Sequence, residues 1–282
     1  MESVFISGLG MIGSSLARNI KRSGQHVKIL GYDPDLANGE FLIREKYVDE
    51  LTTFIAGAET ADIIFLCGPV DVIKRQIKQL GTLNLKDHVI VSDVGSTKSE
   101  IMMVAHSLVA RRITFVGGHP MAGSHLTGAR SGRDNLFAGA AYFLIPTTTD
   151  HAGVKTIQRL LGKADANWQI VTENDHDLFV GAASHVPHII ASTLALSALQ
   201  TINSTDIDAK LVAGGFRDTT RIAAADPDMW TAIMDSNHTV ILEQLTQFTD
   251  ELMKMKTAIA QRDEQRIHQV FSEAQAIRKS ID

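Results

Sequence analysis

The chain has 282 residues, of which 44% are hydrophobic and 21% charged, and its net charge is −5. That length suits two domains or one large one, with enough apolar content for a real core. The acidic balance and the lack of a Lys/Arg cluster argue against a nucleic-acid or membrane surface. The single cysteine, Cys67, rules out an internal disulfide and suits a reducing cytoplasm.

From the amino terminus, short apolar runs alternate with helical patterns. Strands are expected at 4–8, 27–33, 61–67, 88–94, 113–117, 140–146 and 168–172. These runs are rich in Val, Ile and Phe and mostly do not alternate, as in strands buried on both faces. Helices are expected at 11–24, 70–80, 97–111 and 150–163. This β/α alternation implies an α/β fold with a doubly wound, mainly parallel sheet over residues 1–172. After residue 172 the texture changes. The nearly uncharged run 179–200 reads as a helix buried on several sides. Residues Ile233, Ile241, Leu245, Phe248, Leu252 and Ile259 continue at helical spacing. Residues 173–282 are therefore expected to form an all-helical domain. So apolar a helix in about 110 residues has little of its own chain to bury against, which favours a homodimer. Glu2 follows Met1 and a glycine loop starts by Gly8, so no signal peptide is expected. No apolar run is expected to reach the roughly 20 residues of a bilayer span.

The motifs fall in the same order. The first strand runs into GLGMIGSS, where Gly8, Gly10 and Gly13 make G-x-G-x-x-G and Met11 and Ile12 open the next helix. Gly8 permits the turn, Gly10 lets backbone approach a pyrophosphate, and Gly13 lets helix and strand pack closely. The helix N-terminus then faces the phosphates. Asp33 ends the next strand, 20 residues after Gly13, where it would accept from ribose hydroxyls. A 2′-phosphate there would meet a like charge, so NAD is expected over NADP. Pro69 in CGPVDVI and Ser96 in DVGSTKSEI follow strand ends where open α/β sheets bind ligands. Ser96 and Thr97 are equally suited to capping the next helix, with Glu100 closing a capping box.

The stretch 117–128, GGHPMAGSHLTG, holds four glycines and a proline, too broken for a helix or a core strand. Its His119 has glycines nearby that allow another molecule to come close. A histidine there is suited to take a proton from a hydroxyl as hydride departs. A plain loop histidine remains the competing reading. His185 and His188 in SHVPHII share a helical face, and Pro187 places a turn or kink beside them. Two histidines without a third ligand do not make a metal site. Arg217, Asp218 and Arg221 interrupt an apolar stretch, and an arginine is suited to clamp a carboxylate, or Arg217 to pair with Asp218.

GLGMIGSS, DVGSTK, GGHPMAGS, SHVPHIIA and GGFRDTTRIAAADPDMW stand in the order and spacing of the prephenate and arogenate dehydrogenases, and the chain resembles that family from about residue 3 to 250. The resemblance implies a Rossmann-type NAD-binding domain followed by a helical dimerisation domain. It implies oxidative decarboxylation of prephenate to 4-hydroxyphenylpyruvate, the precursor of tyrosine. His119 would accept the hydroxyl proton and Ser96 would orient that hydroxyl. His188, with His185 beside it, would line the substrate pocket, and Arg221 would hold a substrate carboxylate. Where relatives commonly read S-E-K-S-G, this chain has Ser124, His125, Leu126, Thr127 and Gly128. An arogenate ammonium would want a carboxylate, and 117–132 has no acid, which favours prephenate. Asp134, Asp175, Asp177 or Asp218 would have to supply one otherwise. No chorismate mutase or ACT domain is expected. Two alternatives follow from the same architecture. One is a β-hydroxyacid dehydrogenase using Lys210 as base; the other is a non-catalytic NAD sensor.

Overall fold

The computed structural model describes residues 1–123, 126–149 and 151–281. The apolar runs pair into one eight-stranded sheet: β1 (Glu2–Ser7), β2 (Val27–Tyr32), β3 (Glu50–Leu51), β4 (Ile63–Leu66), β5 (Ile90–Asp93), β6 (Thr114–Pro120), β7 (Ala141–Pro146) and β8 (Asn167–Ile170). Their order is β3-β2-β1-β4-β5-β6-β7-β8, parallel throughout except for the antiparallel β6–β7 pair. The chain winds outward from β1 in one direction and returns to wind from β4 in the other. That reversal opens a crevice at the carboxyl ends of β1 and β4.

The pleat sends neighbouring side chains to opposite faces. In β1, Val4 and Ile6 join one core with Leu16 and Ile20 of α1 (Met11–Arg22) and Val154 and Ile157 of α6 (Ala152–Leu160). Phe5 joins the other core with Phe54 of α3 (Phe54–Thr60), Ile73 of α4 (Val70–Leu80) and Ile101 of α5 (Ser99–Val109). Strands covered on both faces must be apolar at every position, which is why the runs did not alternate.

Residues 34–60, unassigned from the sequence, hold α2 (Leu36–Arg44), α3 and β3. These elements are short, and Gly39 and Gly57 are tucked where a Cβ would meet Leu51 at 2.7 Å and Phe5 at 2.5 Å. Such close packing leaves little room for a periodic apolar pattern. A second difference concerns 117–120. Gly117, Gly118, His119 and Pro120 are not loop but the buried end of β6. A Cβ on Gly118 would stand 2.3 Å from the Asp93 carbonyl oxygen of β5. The glycine thus serves the approach of the protein's own backbone rather than that of a ligand.

From Glu173 onward the described residues contain helices and turns and no strand. α7 (Glu173–Val180) runs through a π-helical turn (Gly181–His185) into α8 (Val186–Ile202). The turn falls just before Pro187, whose missing N–H removes one hydrogen bond from this continuous helical run, and the ladder changes there. Gly181 admits α11 (His238–Gln261): a Cβ there would meet Gln244 Oε1 at 2.5 Å, and Gln244 donates to the Leu178 carbonyl at 2.9 Å. α9 (Gly214–Thr220), α10 (Pro227–Ser236) and α12 (Glu264–Ile281) complete the helical part.

Contrary to the expectation for this segment, the helical run Glu173–Ile202 is long and apolar enough to cross a bilayer by length and composition, an 18-residue window within it having a mean hydropathy of 1.4. Nor is it buried on several sides within one chain. In α8 only Val186 and Ala191 are buried, and Leu196 is 74% exposed. The same helical run carries His176, Asp177 and His185, all buried against their own chain.

Replacing Gly118 with Ala should destabilise the protein by about 1–3 kcal/mol or more, because the new methyl overpacks two backbones. Urea unfolding measures this, and an unchanged midpoint would contradict the close approach of β5 and β6.

Candidate active site

The crevice begins at the first glycine loop. Gly8 has φ +96°, and a Cβ there would strike the Cys67 carbonyl at 2.7 Å. Gly13 packs so closely that its Cβ would lie 1.9 Å from the Gly8 carbonyl oxygen. Gly10 differs: a Cβ would touch nothing within 4 Å, so the backbone there borders open space. Gly10 also precedes α1, whose first turn has no acid and no side-chain cap. Backbone N–H groups at such a helix start suit a pyrophosphate. Asp33 accepts from the Leu9 N–H at 2.6 Å through one oxygen. The other accepts from the Asp35 N–H at 2.8 Å and Asn38 Nδ2 at 3.3 Å. Three of about four acceptor positions on the carboxylate are thus filled, which orients the remaining one beside the loop. Pro69 stands immediately before α4 at the carboxyl end of β4. Gly8, Gly10, Gly13, Asp33 and Pro69 therefore fit an adenine dinucleotide in kind and placement, and Met11 and Ile12 open α1 beside them.

Across the crevice, β5 ends in a buried ion pair between Asp93 and Lys98, both fully enclosed. Asp93 also accepts from the Gly95 N–H at 2.7 Å and the Gly118 N–H at 3.0 Å. It thereby ties the 93–98 turn to β6. Ser96 in this turn is half-buried, and its hydroxyl has no hydrogen bond among the described residues. The expected capping of α5 by Ser96 or Thr97 is not what forms. Thr97 Oγ1 donates to Ser236 Oγ at 2.9 Å, and Glu100 pairs with Lys74. The cap comes from Asp177, whose two oxygens accept from the Lys98 and Ser99 N–H groups at 2.8 Å each.

Asp177 also reaches His119 through His176. Its Oδ1 lies 2.7 Å from His176 Nδ1, and His176 Nε2 lies 2.8 Å from His119 Nδ1. A carboxylate accepts only, so His176 Nδ1 carries hydrogen. In the neutral ring Nε2 is then the acceptor, and His119 Nδ1 must donate to it. The remaining nitrogen of His119, Nε2, is left with a lone pair. Burial first, then the neighbouring His176, Lys98 and His185, hold the His119 pKa well below its usual range. The ring therefore stays neutral at neutral pH, with Nε2 free to accept a proton. Neither His176 nor Asp177 was singled out as a catalytic candidate in the sequence. The only local signal is the HD pair in a helix opened by Thr172, and it says nothing of what the pair faces.

His185 and His188 leave the π turn on one face. His188 stacks on Trp230 with centroids 3.6 Å apart, and His185 meets the same indole edge-on at 6.0 Å. The His188 Nδ1–H donates to the Ser184 carbonyl at 2.9 Å, which leaves Nε2 as acceptor. Arg221, in the turn Arg221–Ala224, is exposed, and its charge helps to lower the His188 pKa after burial. Arg217 does not pair with Asp218; it donates to the Lys210 carbonyl at 2.7 Å and the Val212 carbonyl at 3.3 Å. Lys210 itself lies exposed on a surface turn. Of the acids considered for an ammonium, Asp177 is committed to α5 and His176. Asp134 lies 3.8 Å from both Arg18 and Arg22, and Asp175 accepts from Thr172 Oγ1 at 2.8 Å. Ser124 and His125, where the loop departs from the family pattern, lie outside the described residues.

The arrangement presents an anion-ready glycine loop, a neutral imidazole base, two further imidazoles and an exposed guanidinium. Known proteins resemble the chain over its whole length. A family profile described as prephenate dehydrogenase, nucleotide-binding domain, matches residues 16–170. One described as prephenate dehydrogenase, dimerization domain, matches residues 172–273. Prephenate dehydrogenase of Lactococcus lactis is 38% identical over 100% of this chain and 78% of its own length. The solved prephenate dehydrogenase of A. aeolicus, in complex with hydroxyphenyl propionate and NAD+, is 31% identical, with a TM-score of 0.88 over 100% of this chain and 99% of its own. Synechocystis arogenate dehydrogenase is 28% identical, with a TM-score of 0.84 over 99% and 100% of the two chains.

Asp177→Asn should cost about 1–3 kcal/mol at neutral pH, since one α5 N–H and the His176 N–H lose their acceptor. Hydrogen bonds to His176 and Ser99 outweigh burial and lower the Asp177 pKa from 3.8. Its contribution is therefore present above that value and lost as pH falls through the lower folded one. Denaturant unfolding at neutral and acid pH should show the difference from wild type shrinking on acidification. A difference independent of pH would refute this role of the charge.

Proposed function

The chain belongs to the prephenate dehydrogenase family, and we propose that it converts prephenate to 4-hydroxyphenylpyruvate with NAD, in the cytoplasm, as a homodimer. The observation that carries this reading is the unprotonated Nε2 of a buried His119, held in that state by His176 and Asp177. NAD, when bound, supplies the hydride acceptor. His119 takes the proton of the ring hydroxyl as the carbon bearing it loses hydride. The bond from the ring to its carboxylate breaks, carbon dioxide leaves, and the electron pair completes the aromatic ring. The proton ends on the phenol oxygen. Ser96, with its unengaged hydroxyl, orients the reacting hydroxyl. His188 and His185 line the pocket and Arg221 holds a substrate carboxylate. The acid-free stretch 117–132 supports prephenate over an ammonium-bearing substrate; of the four acids considered for an ammonium, Asp134, Asp175 and Asp177 have internal partners and Asp218 is exposed.

The partner we propose is a second copy rather than a lipid bilayer or a nucleic acid. Leu196 of α8, Leu252 of α11 and Phe271 of α12 are all more than half exposed. Buried charged and imidazole groups on the α7–α8 run make a bilayer a poor place for it.

NADH formation with prephenate should fall about 10²–10⁴-fold in His119→Asn, the usual worth of a positioned base. Full activity in the variant, or turnover of arogenate alone, would overturn the assignment. Protonation removes the base, and the His119 pKa is lowered, so kcat/KM should hold its plateau through neutrality. Its acid limb should lie below 6.5; a limb above that value contradicts the buried neutral ring. Leu196→Asp should convert a dimer to a monomer in light scattering, and a wild-type monomer would refute the dimer.

A further inference from the structure

We propose that His185 meets the substrate as a neutral hydrogen-bond donor through Nε2, and that Asn237 is the positioning residue that sets this tautomer. The proposal rests on the prephenate reading for the identity of the ligand but not for the tautomer itself. Asn237 lies between α10 and α11 and is buried. It precedes α11 but does not cap it with its side chain. Instead its amide nitrogen lies 3.1 Å from the Asp177 carbonyl oxygen and 3.1 Å from His185 Nδ1.

The orientation of that amide is not open. Turned over, it would set its oxygen against the Asp177 carbonyl, two acceptors face to face. With the nitrogen in place, its two hydrogens serve the carbonyl and His185 Nδ1. Nδ1 is therefore an acceptor, and the neutral ring carries its hydrogen on Nε2. Protonating the ring would set an N–H against the amide N–H. Burial chiefly, with His176 and His188 adding to it and Asp177 opposing, lowers the His185 pKa to about 4, which agrees with a neutral ring. Nε2 makes no hydrogen bond among the described residues, and Trp230 holds the ring plane edge-on.

The pocket then holds three imidazoles in a set pattern. His119 Nε2 accepts, His185 Nε2–H donates, and His188 Nε2 accepts. The donor suits an oxygen bearing lone pairs, such as a keto or carboxylate oxygen of a keto acid. It brings no positive charge, so it leaves the basicity of His119 intact.

The first test needs no turnover. Two-bond proton–nitrogen spectra of full-length wild type, labelled at histidine nitrogen, should show His185 hydrogenated at Nε2 near neutral pH, with His185→Gln used to assign the ring. A ring hydrogenated at Nδ1 overturns the proposal. Asn237→Asp offers an acceptor instead of a donor, so it should move the hydrogen to Nδ1. The KM for prephenate should then rise about tenfold, the worth of one hydrogen bond of about 1.4 kcal/mol, with a smaller change in kcat. An unchanged tautomer and KM in that variant also overturn it. Should Asn237→Asp not fold, His185→Gln and His185→Asn decide. The amide nitrogen of Gln reaches the place of Nε2 and should keep KM within about threefold, whereas Asn should not, each judged against that hydrogen-bond magnitude. Equal losses in the two contradict a donor at Nε2. Absence of prephenate turnover in wild type, with the Nε2 tautomer present, would remove the proposed substrate and leave the Asn237 device standing.

Discussion

The carboxylate of Asp177 is the constraint on which the rest depends. A buried carboxylate is costly unless every lone pair finds a donor. Here two donors are N–H groups at the start of α5, where the helix dipole also favours negative charge. A third is His176 Nδ1. The two backbone donors lie at the start of α5, directly after the β5 turn, and the acceptor lies on α7, the first helix of the helical part. One side chain therefore docks the helical part onto the carboxyl end of the sheet, and it orients the His176–His119 pair in the same act. The same residue's carbonyl takes the Asn237 amide, so the backbone at this point holds the far side of the pocket too.

Asp93 plays the complementary part within the sheet. Its pairing with Lys98 and its two backbone donors lock β5, the 93–98 turn and β6 into one unit. Gly118 makes that unit possible, because any side chain would hold β5 and β6 apart. His119 follows directly, so its ring starts from a rigid backbone. The buried positive charge of Lys98 also disfavours a second positive charge on His119. Proton affinity at the base is thus set by packing as well as by its neighbours.

The π turn settles the other wall. One extra residue in a helical turn shifts the register of everything after it. His185 and His188 emerge together on Trp230, and Gly181 lets α11 press against the turn. The price of this arrangement is an α8 whose apolar side chains find few partners in their own chain, consistent with a surface covered by a second copy.

The sequence by itself determined the sheet, the crevice and the chemistry's raw materials. Uninterrupted Val, Ile and Phe runs have one stable home, between two layers of helices. Gly8, Gly10, Gly13 and Asp33 are legible because their task is local: a turn, a helix start and a strand end. His119, His185, His188 and Arg221 were visible as residue types in unusual company. Only the tertiary structure decided which groups surround them. The partner of Ser99 lies 78 positions away at Asp177, and that of His119 lies 57 away at His176. Spacing along the chain carries no trace of such pairings. The same holds for Gly118, read as loop because its reason is a neighbouring backbone, and for Asn237, an ordinary residue until its amide meets His185. Tautomers and lowered pKa values come from neighbours in space, and those exist only once the chain has folded.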